Sequence, residues 1–340
     1  MSLELAAAVF IVGGLTLYLV LGGADFGAGT WEAFLAIRGS PEESALVNRA
    51  IGPIWEANHV WLVFVLVVLH TAFPVAYSAL FQAVFVPLLL GLTGIVLRGA
   101  GFAFRYYGGV ELGAGKAWGR MFQGSSVFAP FFIGTAAGAV ASGELAISAD
   151  GQFQGSFLTG WISPLSIYTG LLTVAICAYL AGVYLTRDAR EEGRHDASEQ
   201  WRRRSIAAGV FTGALALFGL VVFAQSSQVL REGFMERAWP VVVASVALGL
   251  ASLWLLRTRR LLRAGLAAAG AAATVLWGWP IAHYPLIVPP DITLEQARAS
   301  DPVMAAVVIS VIVGAAITIP ALAWMFYLFK IKNVDTHARE

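Results

Sequence analysis

The sequence predicts an all-helical, polytopic membrane protein with about nine transmembrane helices. Three observations carry this. The 340 residues are 58% hydrophobic and only 13% charged, where a soluble domain carries about 25% charged residues. The apolar residues fall into long uninterrupted runs rather than alternating with polar ones. The basic residues gather in every second connection between those runs. A mean hydropathy of +0.74 agrees, and a net charge of +1 gives no reason to expect nucleic acid as a partner.

A spanning helix needs about 20 mostly apolar residues, and such runs lie at roughly 5–36, 54–74, 78–104, 121–141, 161–186, 205–226, 238–256, 261–283 and 303–329. The whole chain, 1–340, therefore reads as a single integral membrane domain. The first run is long and is followed by more chain of the same kind, so it reads as a span and not as a cleaved leader. It is too long for one straight crossing and contains GGADFGAG at 22–29, where a bend or unwinding is expected. The third run is expected to be one helix. The link RDAREEGRHDASEQWRRR between the fifth and sixth runs reads as a solvated linker with an interfacial helical end. The loop ISADGQFQGSFLTG is turn-rich and polar, and no internal repeat stands out. The single cysteine, Cys177, lies inside an apolar run, which leaves no disulfide framework and no cysteine-based metal site.

The charges orient the map. One set of connections holds Arg105, Lys116, Arg120, the arginines of 187–204 and those of RTRRLLR at 257–263, and the C-terminal tail adds Lys330 and Lys332. The opposite set holds only Arg231, Arg237 and Arg298. By the positive-inside rule the N-terminus is outside and the C-terminus cytoplasmic, an alternation that needs an odd number of spans.

Ionisable residues inside a membrane are expensive, at about 2.5–3.5 kcal/mol each at a helix centre on insertion scales, and so mark functional candidates. Asp25, Glu56 and Arg98 stand out, with Glu32 and Arg105 nearer the cytoplasmic edge. Asp25 and Glu32 are seven residues apart, as are Arg98 and Arg105, which puts each pair on one face of its helix. Asp25 lies roughly 16 Å in from the inner end of its span, near the midplane. Glu56 sits just inside the start of the second run, at a depth that approaches Arg98. Two readings follow. A static ion pair between Glu56 and Arg98 locks the first helices together, with Glu56 also suited to the first turn of its helix. Alternatively, carboxyls staggered in depth pass protons inward from the cytoplasm, with Asn58 as a hydrogen-bonding neighbour.

Histidine is weighed as a haem ligand. Of the five histidines, His195 and His337 lie in charged segments, while His59 and His70 share one face of the second span. Only His283 is available as a partner on another span, so the histidines read first as hydrogen-bonded residues near the interfaces, with one haem between His70 and His283 as the alternative. Tryptophans cluster near span ends as an aromatic belt. Small-residue runs such as GTAAGAVASG and AGLAAAGAAA permit close helix contact, within the chain or with another subunit.

The order and spacing of GGADFGAG, AIGPIWEANHVW and LRGAGFAFR resemble subunit II of cytochrome bd-type quinol oxidases, specifically over roughly residues 15–105 and loosely beyond. The resemblance implies two four-helix bundles plus one peripheral helix, here about 1–141 and 161–329. It implies a heterodimer with a larger subunit I that holds haem b and haem d and oxidises quinol, and no haem ligated by this chain. A quinone bound in an apolar groove, surrounding lipid and small single-helix subunits are further partners it implies, in a bacterial or archaeal cell membrane. Carried over by position, Asp25, Glu56 and Asn58 form a proton pathway, while Arg98 and Trp61 are structural. Gly22 stands where many relatives carry a second acid, which puts in doubt any path needing two acids there. The rival classes are a standalone ion-coupled transporter, with GGADFGAG as a broken helix at the midplane, and a haem-binding b-type cytochrome.

Overall fold

The computed structural model describes residues 2–38, 47, 55–107, 115–148, 152–158, 160–224, 228–290 and 292–327, with the side chains at 37–38, 55–57, 106–107, 223–224, 229 and 325–327 outside that description. Helix α1 (Leu3–Leu17) runs into a wide π-helical turn, Tyr18–Gly22, and continues as α2 (Gly23–Arg38). The expected irregularity of the first span is therefore real but lies upstream of its predicted place. Gly23 takes ordinary helical angles (φ −58°, ψ −37°), and GGADFGAG is helical from there on. Unwinding is not needed to satisfy Asp25, because a side chain from another helix reaches it.

Helix α3 spans Trp55–Ala72. The run expected as one helix over 78–104 is two, α4 (Pro74–Ala83) and α5 (Phe85–Tyr107). Pro87 supplies the reason. It has no N–H to give the Ala83 carbonyl four residues back, and its ring crowds that carbonyl, so the chain turns at Val84 (φ −113°, ψ 27°). Helices α6 (Gly115–Ser142) and α7 (Pro164–Glu191) follow, the latter opened by a Ser163–Ser166 capping box with Pro164 in its first turn. Then come α8 (His195–Ala224), the short α9 (Gln228–Gly233) with a second π-helical turn, α10 (Trp239–Arg257) and α11 (Leu261–His283). A two-stranded antiparallel hairpin, β1 (Leu286–Val288) and β2 (Ile292–Thr293), leads through α12 (Leu294–Ala297) to α13 (Asp301–Tyr327). Among the described residues eight helical stretches are long and apolar enough to cross a membrane, and α3 adds a shorter apolar one over Asn58–Ala72.

The link between α7 and α8 is solvent-exposed at its tip as expected, but it is helical almost throughout, the turn of a helical hairpin closed by Gly193 at a positive φ of 73°. The first turns of α8 fold back onto the bundle, and Trp201 is fully buried with its ring edge-on to Trp31 at 5.4 Å. At the same end Glu199 pairs with Arg202 and Arg203 of α8 and with Arg259 of the α10–α11 turn.

Helix α7 is the central post. It packs against α2, α6, α8 and α11, while α2 is also held by α6. Helices α3 and α13 pack against α1. Glycine makes the α2–α7 approach possible: a Cβ on Gly27 would lie 1.9 Å from the Cys177 carbonyl oxygen. GTAAGAVASG, left open above between internal and external contact, is mostly buried against α7 within the chain.

Candidate functional site

Asp25 sits in the first turn of α2, one helical turn past the π-helical segment. From α3, the Asn58 side-chain amide donates to Asp25 Oδ2 at 2.5 Å. From α5, Arg98 Nη2 donates to the backbone carbonyl of Asp25 at 3.0 Å. The Arg98 guanidinium lies over the rings of Phe26 (5.0 Å) and Phe122 (5.1 Å). Asn58 is 5% and Arg98 1% exposed, so this is an interior polar site in an apolar molecule. The rings and the acid together lower the cost of burying the guanidinium.

One strip further along α2 the arrangement repeats. Glu32 Oε1 accepts from Arg105 Nη1 at 2.5 Å and from Gln123 Nε2 of α6 at 3.2 Å. Glu32 is 5% exposed. The seven-residue spacings on α2 and α5 thus meet as two rungs, Asp25 with Arg98 and Glu32 with Arg105. Phe122 stands beside both, its ring 5.1 Å from one guanidinium and 4.8 Å from the other.

Sequence depth suggested Glu56 as a partner for Arg98, and the described contact is with Asp25. Glu56 lies in the first turn of α3, and its side chain falls outside the described residues, as does Pro53. Trp61 is half-buried against the cluster of Tyr18, Phe26, Ala129 and Cys177, and meets Phe64 edge-on at 6.3 Å. Position 22 belongs to the same neighbourhood, since a Cβ there would lie 3.7 Å from Asn58 Cβ and 3.2 Å from the Tyr18 ring.

Several residues of this region carried no distinguishing sequence signal. Tyr18 reaches His59 Nδ1 at 3.5 Å, and Trp31 Nε1 donates to the Ala178 carbonyl at 2.7 Å, both from positions that read as ordinary apolar filling. Gln123 was findable as a lone amide in an apolar run. The histidines stay apart in role. His59 is half-buried beside Tyr18 and Phe26, and His283 is buried with Nδ1 at 3.0 Å from the Trp279 carbonyl of its own helix. His70 is exposed, meets Tyr77 at 4.7 Å, and lines an open groove of 740 Å³ with Phe81, Gln82 and Phe157. Among the described residues no three His, Cys, Asp or Glu side chains gather as a metal site.

A multi-pass helical protein with a two-rung acid–arginine ladder in its interior is the class these observations define. The family model for cytochrome bd terminal oxidase subunit II matches residues 3–329, and the chain belongs to that family. It is a component of a quinol oxidase complex, and the family implies a subunit I as partner. The chain is 26% identical over 330 residues to the cytochrome bd ubiquinol oxidase subunit 2 of Bacillus subtilis (strain 168), covering 95% of this chain and 93% of that one. It is 29% identical over 175 residues to the cytochrome bd-I ubiquinol oxidase subunit 2 of Escherichia coli (strain K12), covering 49% of this chain and 44% of that one. In fold it is similar to a chain of the bd oxidase from Geobacillus thermodenitrificans, with a TM-score of 0.79 and 22% identity over 97% of this chain and 99% of that one.

Proposed function

We propose that this chain supports the haem-bearing subunit I and takes part in proton uptake while the complex oxidises quinol and reduces oxygen to water. The observation that carries the reading is the Asn58–Asp25 hydrogen bond beside the buried Arg98. A carboxyl near the membrane midplane is costly, and here it has a neighbouring cation and an amide donor. Glu56, in the first turn of α3, hands the proton on, Asn58 two residues further along the helix orients Asp25, and Asp25 passes the proton toward subunit I. Arg98 offsets the charge of the two carboxylates.

Haem b and haem d lie in subunit I on this reading. His59 and His283 each have a hydrogen-bond partner in this chain and His70 stands edge-on to Tyr77, contacts that account for them without an iron. A quinone in an apolar groove, annular lipid and small single-helix subunits complete the assembly. The chain divides into bundles at about 1–141 and 161–329. It sits in the cell membrane with its N-terminus outside and its arginine-rich connections in the cytoplasm.

The deciding experiment replaces Glu56 in the assembled complex. Glu56→Gln keeps the shape and removes the titrating group, so quinol oxidase turnover falls by about 100-fold, within the range general acid–base groups supply. Glu56→Asp keeps a carboxyl and retains much of the rate. Full turnover in an assembled Glu56→Gln complex refutes the route.

A further inference from the structure

Asp25 and Glu32 lie on one strip of α2, roughly 10 Å apart along its axis. The residue between them on that strip is Gly29. Its missing side chain lets α6 come close, and a Cβ built there would meet Ser126 Oγ at 2.1 Å. A buried hydroxyl therefore stands over the α2 backbone between the two carboxyls. Ser126 donates its own proton to the Phe122 carbonyl at 2.7 Å, which leaves the lone pairs of its oxygen to accept. Thr30 Oγ1 adds a second hydroxyl at this level, 3.0 Å from the Phe26 carbonyl and 3.4 Å from that of Ser126.

The two rungs are incompletely closed. Glu32 Oε1 takes both Arg105 and Gln123, yet Glu32 Oε2 is buried with no hydrogen-bond partner among the described residues. Arg98 Nε is buried in the same condition. A purely structural pair in an apolar interior favours the two-pronged arginine–carboxylate fork, which satisfies both oxygens. Here the fork is given up, and an acceptor and a donor are left over within the ladder. Buried polar groups in that state are what ordered water bridges.

We propose that Glu32 is a positioning residue for proton uptake, which reloads Asp25 through the Ser126 hydroxyl and bridging water. The proposal rests on the uptake reading of Asp25 given above. The Glu32 carboxyl gives its proton to the Ser126 oxygen, the Ser126 hydroxyl releases its own proton from the Phe122 carbonyl through water to the Asp25 carboxylate, and one proton has moved from Glu32 to Asp25. Glu32 then takes a proton from water at the arginine-rich face, and the chain returns to its starting charge. Arg105 and Gln123 hold one oxygen of Glu32 in place, so the other keeps a constant direction during the transfer.

The test uses the whole oxidase complex in proteoliposomes, with quinol-driven oxygen consumption and proton uptake followed together by a pH-sensitive dye. Glu32→Gln lowers kcat and proton uptake by at least about tenfold, a conservative share of what general acid–base groups supply, and leaves the KM for quinol and the haem spectrum unchanged. Glu32→Asp recovers a large part of both, which a merely structural role for the charge does not require. Where Glu32→Gln alone fails to assemble, the double variant Glu32→Gln/Arg105→Gln removes both charges and is measured in its place. Asp25→Asn is run alongside. If Asp25→Asn is silent, the uptake reading itself falls, and this proposal with it. If Asp25→Asn is slow while the Glu32 variant turns over at the wild-type rate, only the present proposal is overturned.

Discussion

Asn58 of α3 donates its side-chain amide to Oδ2 of Asp25, at 2.5 Å, across the junction where α2 leaves its π-helical turn. Arg98 of α5 meets the same residue at its backbone carbonyl. Asp25 is thus approached from two helices by two donors at two different atoms. The neutral amide orients the carboxylate.

A charged acceptor loses about 1.5–3 kcal/mol when a buried donor is removed. Asn58→Leu, similar in size and unable to donate, is expected to lower the thermal stability of the complex by that order and to slow turnover. Thermal denaturation of the purified complex checks the first and oxygen consumption the second. A variant with the wild-type melting temperature and wild-type rate shows that the amide does nothing for Asp25.

Gly27 and Gly13 offer a contrast on the first span. A Cβ on Gly27 would lie 1.9 Å from the Cys177 carbonyl oxygen, a backbone atom that cannot swing aside, whereas a Cβ on Gly13 meets nothing within 4 Å. Gly27→Ala is expected to force α2 and α7 apart at a cost of about 1–3 kcal/mol or more, the usual range for overpacking. Gly13→Ala is expected to be neutral or to gain up to about 1 kcal/mol, because alanine is the better helix residue. Membrane accumulation of the two variants, compared by immunoblot, checks this, and equal accumulation refutes the close approach of α2 to α7.

How much of this was legible in the sequence depends on what each feature rests on. The spans follow from runs of apolar residues, and those runs are local. The two-rung ladder was half legible: spacings 25–32 and 98–105 put each pair on one helix face, but sequence depth brought Arg98 nearest to Glu56 and did not show that it meets Asp25 at a backbone carbonyl. A search for charge partners alone does not find the backbone carbonyl and the two rings that also satisfy the arginine. The break at Val84 was readable from Pro87 and its missing N–H, yet the hydropathy of the run hid it. The return of Trp201 onto Trp31 was not readable, because a tryptophan followed by three arginines looks like an interfacial belt and its partner lies far away in the sequence. The π-helical turn has no sequence mark beyond the glycines after it, which suggested unwinding at their own position.

The charge asymmetry between alternate connections makes the orientation testable. A cytoplasm-active reporter fused after the last span is expected to be active, and a periplasm-active one at the same place silent. The opposite pattern reverses the orientation and with it the direction proposed for proton uptake, since the Glu32–Arg105 rung would then face outward.

Arg98 is the side chain on which the ladder depends most. It is 1% exposed, it donates a hydrogen bond to the Asp25 carbonyl, and it lies over two aromatic rings. The guanidinium offers a flat face to Phe26 and Phe122 and an edge to the carbonyl at the same time. A lysine ammonium is a compact, strongly hydrated charge and cannot do both. Arg98→Lys is therefore expected to assemble with reduced stability, losing about 1–2 kcal/mol of cation–π attraction in a desolvated site. Arg98→Gln removes the cation beside Asp25. Breaking a buried charge arrangement from one side costs about 3–5 kcal/mol, so this variant is expected to accumulate poorly. The double variant Arg98→Gln/Asp25→Asn removes both charges and is expected to recover assembly without recovering turnover. Its haem content reports assembly, and oxygen consumption reports function. Recovery of both means that the pair is a structural lock and that protons reach subunit I without Asp25. Failure of the double variant to assemble means that the guanidinium is needed for its contacts with Phe26 and Phe122, whatever the state of the acid.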